Sequence, residues 1–258
     1  MRGVIVSLKK ASTGLTAQSI RMDIVGNNVA NINSTGFKKS SAVFEDLLYQ
    51  EVNRLGLPVG ENVFAGSGVR ISETKKDFRQ GALMETGRNL DFAIDGNGFF
   101  AVELPNGEIA FTRDGSFSVD REGFLVTGGG LRVFPYVQVP ENWNSIRVNS
   151  TGEVIVVYED GITEELGILT IFDVPNPGGM ISLGRGLYSP SDASGEPIEG
   201  VPGADGFGVV KQGFLEMSNV DLGEEMTEMI LAQRSFQLNA KLIHTFDEMW
   251  YLANSIRG

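Results

Sequence analysis

The chain has one histidine, His244, and no cysteine. That excludes thiolate nucleophiles, disulfides, Cys-based zinc or iron–sulfur sites and any His-rich metal centre. Carboxylate chemistry stays possible: 33 Asp and Glu residues could supply a glycosidase pair or oxygen ligands for calcium. Neither carries a spacing signature. "DGNGF" (95–99) and "DREGF" (120–124) fall short of the twelve-residue EF-hand loop and sit where hairpins need turns. Gly96, Gly98 and Ala101 imitate a dinucleotide fingerprint, but the following "FFAVEL" reads as a strand, so the helix end that would hold a phosphate is missing. His244 lies at the edge of an apolar helix face, where a packed or half-exposed side chain is expected. No catalytic constellation forms, and the expectation is a non-enzymatic protein with no cofactor, no metal and no small-molecule substrate.

The densest run of one polar type is "GNNVANINSTGFKKS" (26–40), which places Asn27, Asn28, Asn31 and Asn33 within seven positions. Asn competes with the backbone for hydrogen bonds and marks caps and turns, so one would cap a helix and four need a further reason. The cluster closes an amphipathic run in which Val4, Leu8, Ala11, Leu15, Gln18, Met22, Val25, Val29 and Ile32 alternate by four and three. That is an a/d seam about four heptads long. Ile20 and Ile24 form a neighbouring stripe, which Asn28 and Asn31 continue as carboxamides; these could fix the register of adjoining subunits, the alternative being a plain frayed C-cap.

The far end repeats the pattern. Asp221 and Glu224 have capping-box spacing, and Leu222, Met226, Met229, Gln233, Phe236, Ala240, Ile243, Asp247 and Trp250 follow in four-three order. Leu231, Leu238, Leu242, Phe246 and Met249 lie beside them. Helices apolar around so much of their circumference need neighbours on more than one side. At 1.5 Å per residue they run to about 45 and 50 Å. The expected subunit interface comprises Val4, Leu8, Ala11, Leu15, Met22, Val25, Asn27, Asn28, Val29, Asn31 and Ile32 from the first helix. From the second it takes Leu222, Met226, Met229, Gln233, Phe236, Asn239, Ala240, Ile243 and Trp250. The alternative is that the two termini simply pair with each other or lie on the central domain.

Between these ends the composition changes. All nine prolines lie from Pro58 to Pro202, and 28 of the 33 glycines fall outside residues 1–35 and 221–258. Runs such as "GFFAVEL", "EIAFTRDG", "EVIVVYED" and "LGILTIFDV", separated by "DGNG", "PNGE", "NSTG" and "EDG", predict antiparallel strands joined by hairpin turns. The expected fold class is therefore α+β: long N- and C-terminal helices forming a coiled-coil domain (1–35 and 220–258) and a central, mainly antiparallel β domain (71–219). Residues 36–70 join them as a linker or extended hairpin-like segment. The net charge of −12 argues against a nucleic-acid partner. The first residues lack the apolar core of a secretory signal, so the chain is expected either to stay in the cytoplasm or to leave by a signal-independent route.

Two stretches carry a family resemblance. "MDIVGNNVANINSTGFKKSSAVFEDLLYQ" (22–50) resembles the N-terminal signature of the bacterial flagellar rod and hook axial proteins, an "NNxAN…TGFK" core matched by Asn27, Asn28, Ala30, Asn31, Thr35, Gly36, Phe37 and Lys38. "GFLEMSNVDLGEEMTEMILAQRSFQLNAKLI" (213–243) resembles their C-terminal signature through Ser218, Asn219, Val220, Met229, Ile230, Gln233, Arg234, Phe236, Asn239 and Lys241. The resemblance implies a structural subunit of the basal-body rod that polymerises helically with copies of itself into a hollow, torque-bearing shaft. It also implies neighbours among the other axial proteins (proximal rod and hook), ring or bushing proteins around the shaft, and passage through the flagellar type III export apparatus without a cleaved signal peptide. "AVFEDLLYQ" and the chain length are most similar to the distal rod branch. The stretch from Glu51 to Ser67 is short for that branch, which keeps a proximal rod subunit as the alternative. A secreted carbohydrate-active or peptidoglycan-binding protein is the rival from another class.

Overall fold

The computed structural model describes residues 2–47, 50–51, 64–140 and 142–255. The chain divides into two compact units, one of Met1–Ala30, Ser40–Lys76 and Asp221–Gly258, the other of Asn31–Lys39 and Asp77–Val220.

The first unit holds the two long helices, α1 (Arg2–Ala30) and α2 (Leu222–Ser255). Asp221 caps α2: its Oδ1 accepts the Glu224 amide at 3.0 Å, and Glu224 and Glu225 put negative charge where the helix dipole favours it. An antiparallel hairpin packs on α1 as well, pairing strand Ser40–Asp46 with strand Val69–Lys76 from Ser40↔Lys76 to Asp46↔Val69 with a bulge at Val43/Phe44. Arg21 on α1 ties the three elements together, with its guanidinium 5.8 Å from the Phe44 ring centre and paired with Glu228 of α2.

The coiled-coil domain expected of the termini is not what the chain builds. Among the described residues two terminal helices form, a hairpin occupies part of the circumference of α1, and the covered faces coincide only in part with the a/d seams, sharing Ala11 and Val25 with the first. On α1 the covered face runs through Ala11, Gly14, Ala17, Arg21, Val25 and Asn28, while Leu8 is exposed; on α2, Glu225 and Ala232 are buried and Leu222, Met226, Gln233 and Trp250 are exposed. Small and hydrogen-bonding residues bring the helices close. A Cβ on Gly14 would stand 2.9 Å from Nδ2 of Asn239. Periodicity reports that an apolar stripe exists; it cannot say that a neighbouring stripe of Gly, Ala and Asn makes the closer contact. Helix α1 also stops at Ala30, leaving Asn31 and Ile32 in the turn beyond it.

The second unit is mainly antiparallel β. A five-stranded sheet runs in the order Val133–Phe134, Phe100–Glu103, Ile109–Thr112, Leu187–Ser189, Ile181–Gly184, and a three-stranded meander joins Trp143–Val148, Glu153–Tyr158 and Thr163–Ile168. The core gathers Phe92, Phe100, Phe117, Ile146, Val154, Val156, Leu169 and Ile171. "DREGF" is a turn: Asp120 Oδ1 accepts the amides of Glu122 and Phe124, and Gly123 takes the left-handed φ of 86°. Two short strand pairs bring the C-terminal part of this unit alongside its beginning. Phe92–Asp95 lies along Val209–Gln212, and Leu83–Glu85 along Phe214–Glu216, which carries Glu216 into the interior.

Candidate functional site

The asparagine cluster resolves residue by residue. Asn28 is 1% exposed, and its carboxamide spends both ends inside the helical unit. Nδ2 donates to the Ser40 carbonyl at 2.8 Å and to Glu225 Oε2 at 3.0 Å, while Oδ1 accepts the Ser40 amide at 2.9 Å. One side chain thus joins the last turns of α1, the first residue of the hairpin and the first turn of α2. An amide with a donor at one end and an acceptor at the other meets that demand, and an apolar residue cannot. Asn27 and Asn33 are exposed, and Asn31 is half-buried in the turn, where its Oδ1 accepts Ser34 Oγ at 3.2 Å.

In the β unit the rest of the signature meets the C-terminal one. Gly36 adopts φ +64°, and a Cβ there would lie 2.5 Å from the Asp114 amide nitrogen, so only glycine fits. Its amide donates to the Glu216 carbonyl at 2.8 Å. Thr35 Oγ1 donates to Asp114 Oδ1 at 2.8 Å. Lys38 is fully buried, with Nζ donating to Glu216 Oε1 at 2.6 Å and to the Arg79 carbonyl at 2.8 Å. Glu216 Oε1 also accepts the Gly81 amide at 2.8 Å, and Oε2 accepts Arg113 Nη1 at 3.3 Å. Asn219 completes the set: Oδ1 accepts the Lys39 amide at 2.8 Å, and Nδ2 donates to the carbonyls of Asp77 and Arg79.

Burial holds the Lys38 amine below the usual lysine range, against the Glu216 carboxylate, which pulls it up. Arg113 is pushed down by burial in the same way, its guanidinium stacked 5.1 Å from the Phe99 ring centre. Burial raises the nearby Tyr188 phenol to about 12, with the charge of Glu216 adding to the effect. A carboxylate sealed between two buried cations fixes the chain and offers no reacting group to a substrate. Among the described residues no group of His, Asp and Glu assembles a metal site.

The third feature is an open apolar surface. Leu231, Leu238, Leu242, Met249, Trp250 and Leu252 stand out along α2, with Leu238 65% exposed and Trp250 45%. Scattered apolar residues are normal on a surface, but a run along one helix sets this surface apart from them.

Residues 8–38 match a family model described as flagella basal body rod protein, residues 93–156 one described as flagellar hook protein FlgE/F/G D1 domain, and residues 211–256 one described as flagellar basal body rod FlgEFG protein C-terminal. The flagellar basal-body rod protein FlgG of Borreliella burgdorferi is 42% identical over 97% of this chain and 98% of its own length. The FlgG proteins of Buchnera aphidicola (44% identical, 95% of this chain and 97% of the relative) and Bacillus subtilis (39%, 94% and 96%) align equally fully. This chain belongs to the flagellar basal-body rod protein family.

The interface residues expected from the sequence occupy different settings in this rod-family chain. Ala11, Val25 and Asn28 are buried within the helical unit; Leu15, Met22, Val29, Met229, Phe236, Asn239, Ala240 and Ile243 are half-buried there, as is Ile32 in the turn that follows α1. Leu8, Asn27, Leu222, Met226, Gln233 and Trp250 face outward, and the side chain of Val4 lies outside the described residues. Sequence reasoning picked out Lys38 only as a motif letter and missed Arg113, Glu216 and Glu225. The one available signal was a charge at a strand position whose partners are apolar, as in "GFLEMS", and it had no sequence-level partner to complete it.

Proposed function

We propose that the chain is a structural subunit of the distal rod of the bacterial flagellar basal body and that its work is assembly rather than catalysis. Copies stack helically into a hollow shaft that carries torque to the hook. The observation that carries this reading is the end-to-end alignment with rod proteins, in which both terminal helices take part. The relatives bear the name FlgG, which favours the distal over the proximal position.

Neighbouring copies cover the outward side of α2, from Leu222 and Met226 through Leu238 and Leu242 to Trp250, together with the outward-facing Leu8 of α1. Burying each such side chain is worth about 1.5–3 kcal/mol before the entropy of association is subtracted. Leu15, Met22, Val29 and Ile32 on the first side, and Met229, Phe236, Ala240 and Ile243 on the second, are half-buried in the subunit and become fully enclosed in the shaft. The axial neighbours are proximal rod and hook proteins, ring or bushing proteins run around the outside, and the chain arrives through the type III export apparatus without a cleaved signal.

The test is Leu238→Asp, with Leu242→Asp as a second variant, at positions the subunit's own fold does not use. Both should keep the wild-type circular dichroism spectrum and melting profile while yielding no rods by negative-stain microscopy and no swimming in a complemented strain. Normal rods from both variants would overturn the assignment of this surface.

A further inference from the structure

The buried cluster around Glu216 has a property that subunit contacts do not require. Residues 35–39 are anchored in the β unit by Thr35 on Asp114, by the Gly36 amide on the Glu216 carbonyl, by Lys38 on Glu216 and Arg79, and by the Lys39 amide on Asn219. Most of these anchors come from one short stretch, 216–219, near the other end of the chain. Glu216 is also the carboxylate shared by Lys38 and Arg113, whose exposures are 0% and 4%. Take that carboxylate away and two cations face each other without water, a state strongly disfavoured relative to letting one escape.

The cation that escapes is identifiable. Arg113 follows the strand Ile109–Thr112, keeps the carbonyls of Ile94 and Gly96 as acceptors and stacks on Phe99. Lys38 sits on a stretch without regular strand pairing, on a long side chain that reaches solvent readily once its segment lifts.

We propose that Glu216 is a closure lock: residues 34–39 dock into the β unit only once the stretch 214–220 is in place, so an incomplete chain cannot present a finished β unit. The core strands, which bury Val102, Ala110, Val154 and Val156, do not depend on the lock. Both terminal helices connect to the stretches that the lock joins, because 31–39 follows α1 and 214–220 precedes α2. The lock therefore joins the two stretches that adjoin the helices in the chain. It belongs to the β unit alone and stands whether or not the rod reading does.

Hydrogen exchange followed by mass spectrometry on the full chain tests it. In Glu216→Gln the amides of residues 34–39 should exchange roughly 100-fold faster than in the wild type, while peptides covering 100–112 and 153–158 keep their protection. Lys38→Met combined with Glu216→Gln removes the charge that drives the opening, so protection at 34–39 should return most of the way. Unchanged exchange at 34–39 in Glu216→Gln would overturn the proposal. So would a double variant as open as the single one, or loss of protection over the whole β unit together with 34–39.

Discussion

Asn28 shows how one side chain can be wrong for its local structure and right for its tertiary one. As a helix residue it loses to Ala or Leu; as a buried amide it satisfies both the amide and the carbonyl of Ser40 and reaches Glu225. Asn28→Ala gains a little helix propensity and strands those groups in a water-free site. A loss of about 2–4 kcal/mol in urea unfolding at neutral pH is expected. Asn33→Ala, at an exposed position five residues on, should change stability by less than about 0.5 kcal/mol. Similar losses for the two would mean that the carboxamide does not close the helix end. The sequence marked the cluster as unusual and assigned it to contacts between subunits; the partners of Asn28 are within the chain, since a sequence does not reveal that Ser40 and Glu225 lie on either side of it.

At the scale of the element, Gly14 and Gly26 of α1 separate by environment. An added Cβ at Gly26 meets nothing within 4 Å, whereas at Gly14 it meets the Asn239 carboxamide. Gly26→Ala should therefore stabilise α1 by about 0.5–1 kcal/mol through reduced backbone entropy in the unfolded chain. Gly14→Val forces the half-buried Asn239 carboxamide of α2 aside and should lose about 1–3 kcal/mol through overpacking. Thermal melts followed at 222 nm distinguish the two, and a stabilised Gly14→Val would show that the helices do not approach there. Both helices, the Asp221 cap and the turn-separated strands of the centre were legible, because capping, periodicity and Gly-rich turns are local. The face by which each helix packs was legible only in part: Ala11 and Val25 lie on the expected seam, but Gly14, Ala17 and Ala232 are small rather than strongly apolar, and close approach leaves no hydropathy signal.

The whole molecule divides its charge unevenly. The β unit carries 10 Lys and Arg against 21 Asp and Glu, and the helical unit 11 against 12, so nearly all of the net −12 belongs to the β unit. In the proposed shaft, copies that meet through near-neutral helical units must still overcome repulsion between acidic β units. Raising the salt from about 0.01 to 0.1 M shortens the Debye length from about 30 to 10 Å. The concentration at which the chain begins to assemble should fall several-fold over that range, measured by pelleting. The Leu238→Asp variant should not assemble at either salt, and salt-independent assembly would show that the acidic units stay too far apart to interact.

By itself the sequence determined that the chain has two long helices flanking a β centre in sequence order, lacks the side chains for thiol chemistry or a His-rich metal centre, and carries paired signatures of the flagellar axial proteins. These are properties of composition, local spacing and motif. Only the tertiary structure decided which stripe of each helix is spent inside the subunit, and that Asn28 and Glu216 close contacts between segments almost 200 residues apart in the chain. The reason is physical. A buried amide or carboxylate is tolerable only when its partners are in place, and where those partners sit is a property of the fold rather than of any stretch of sequence.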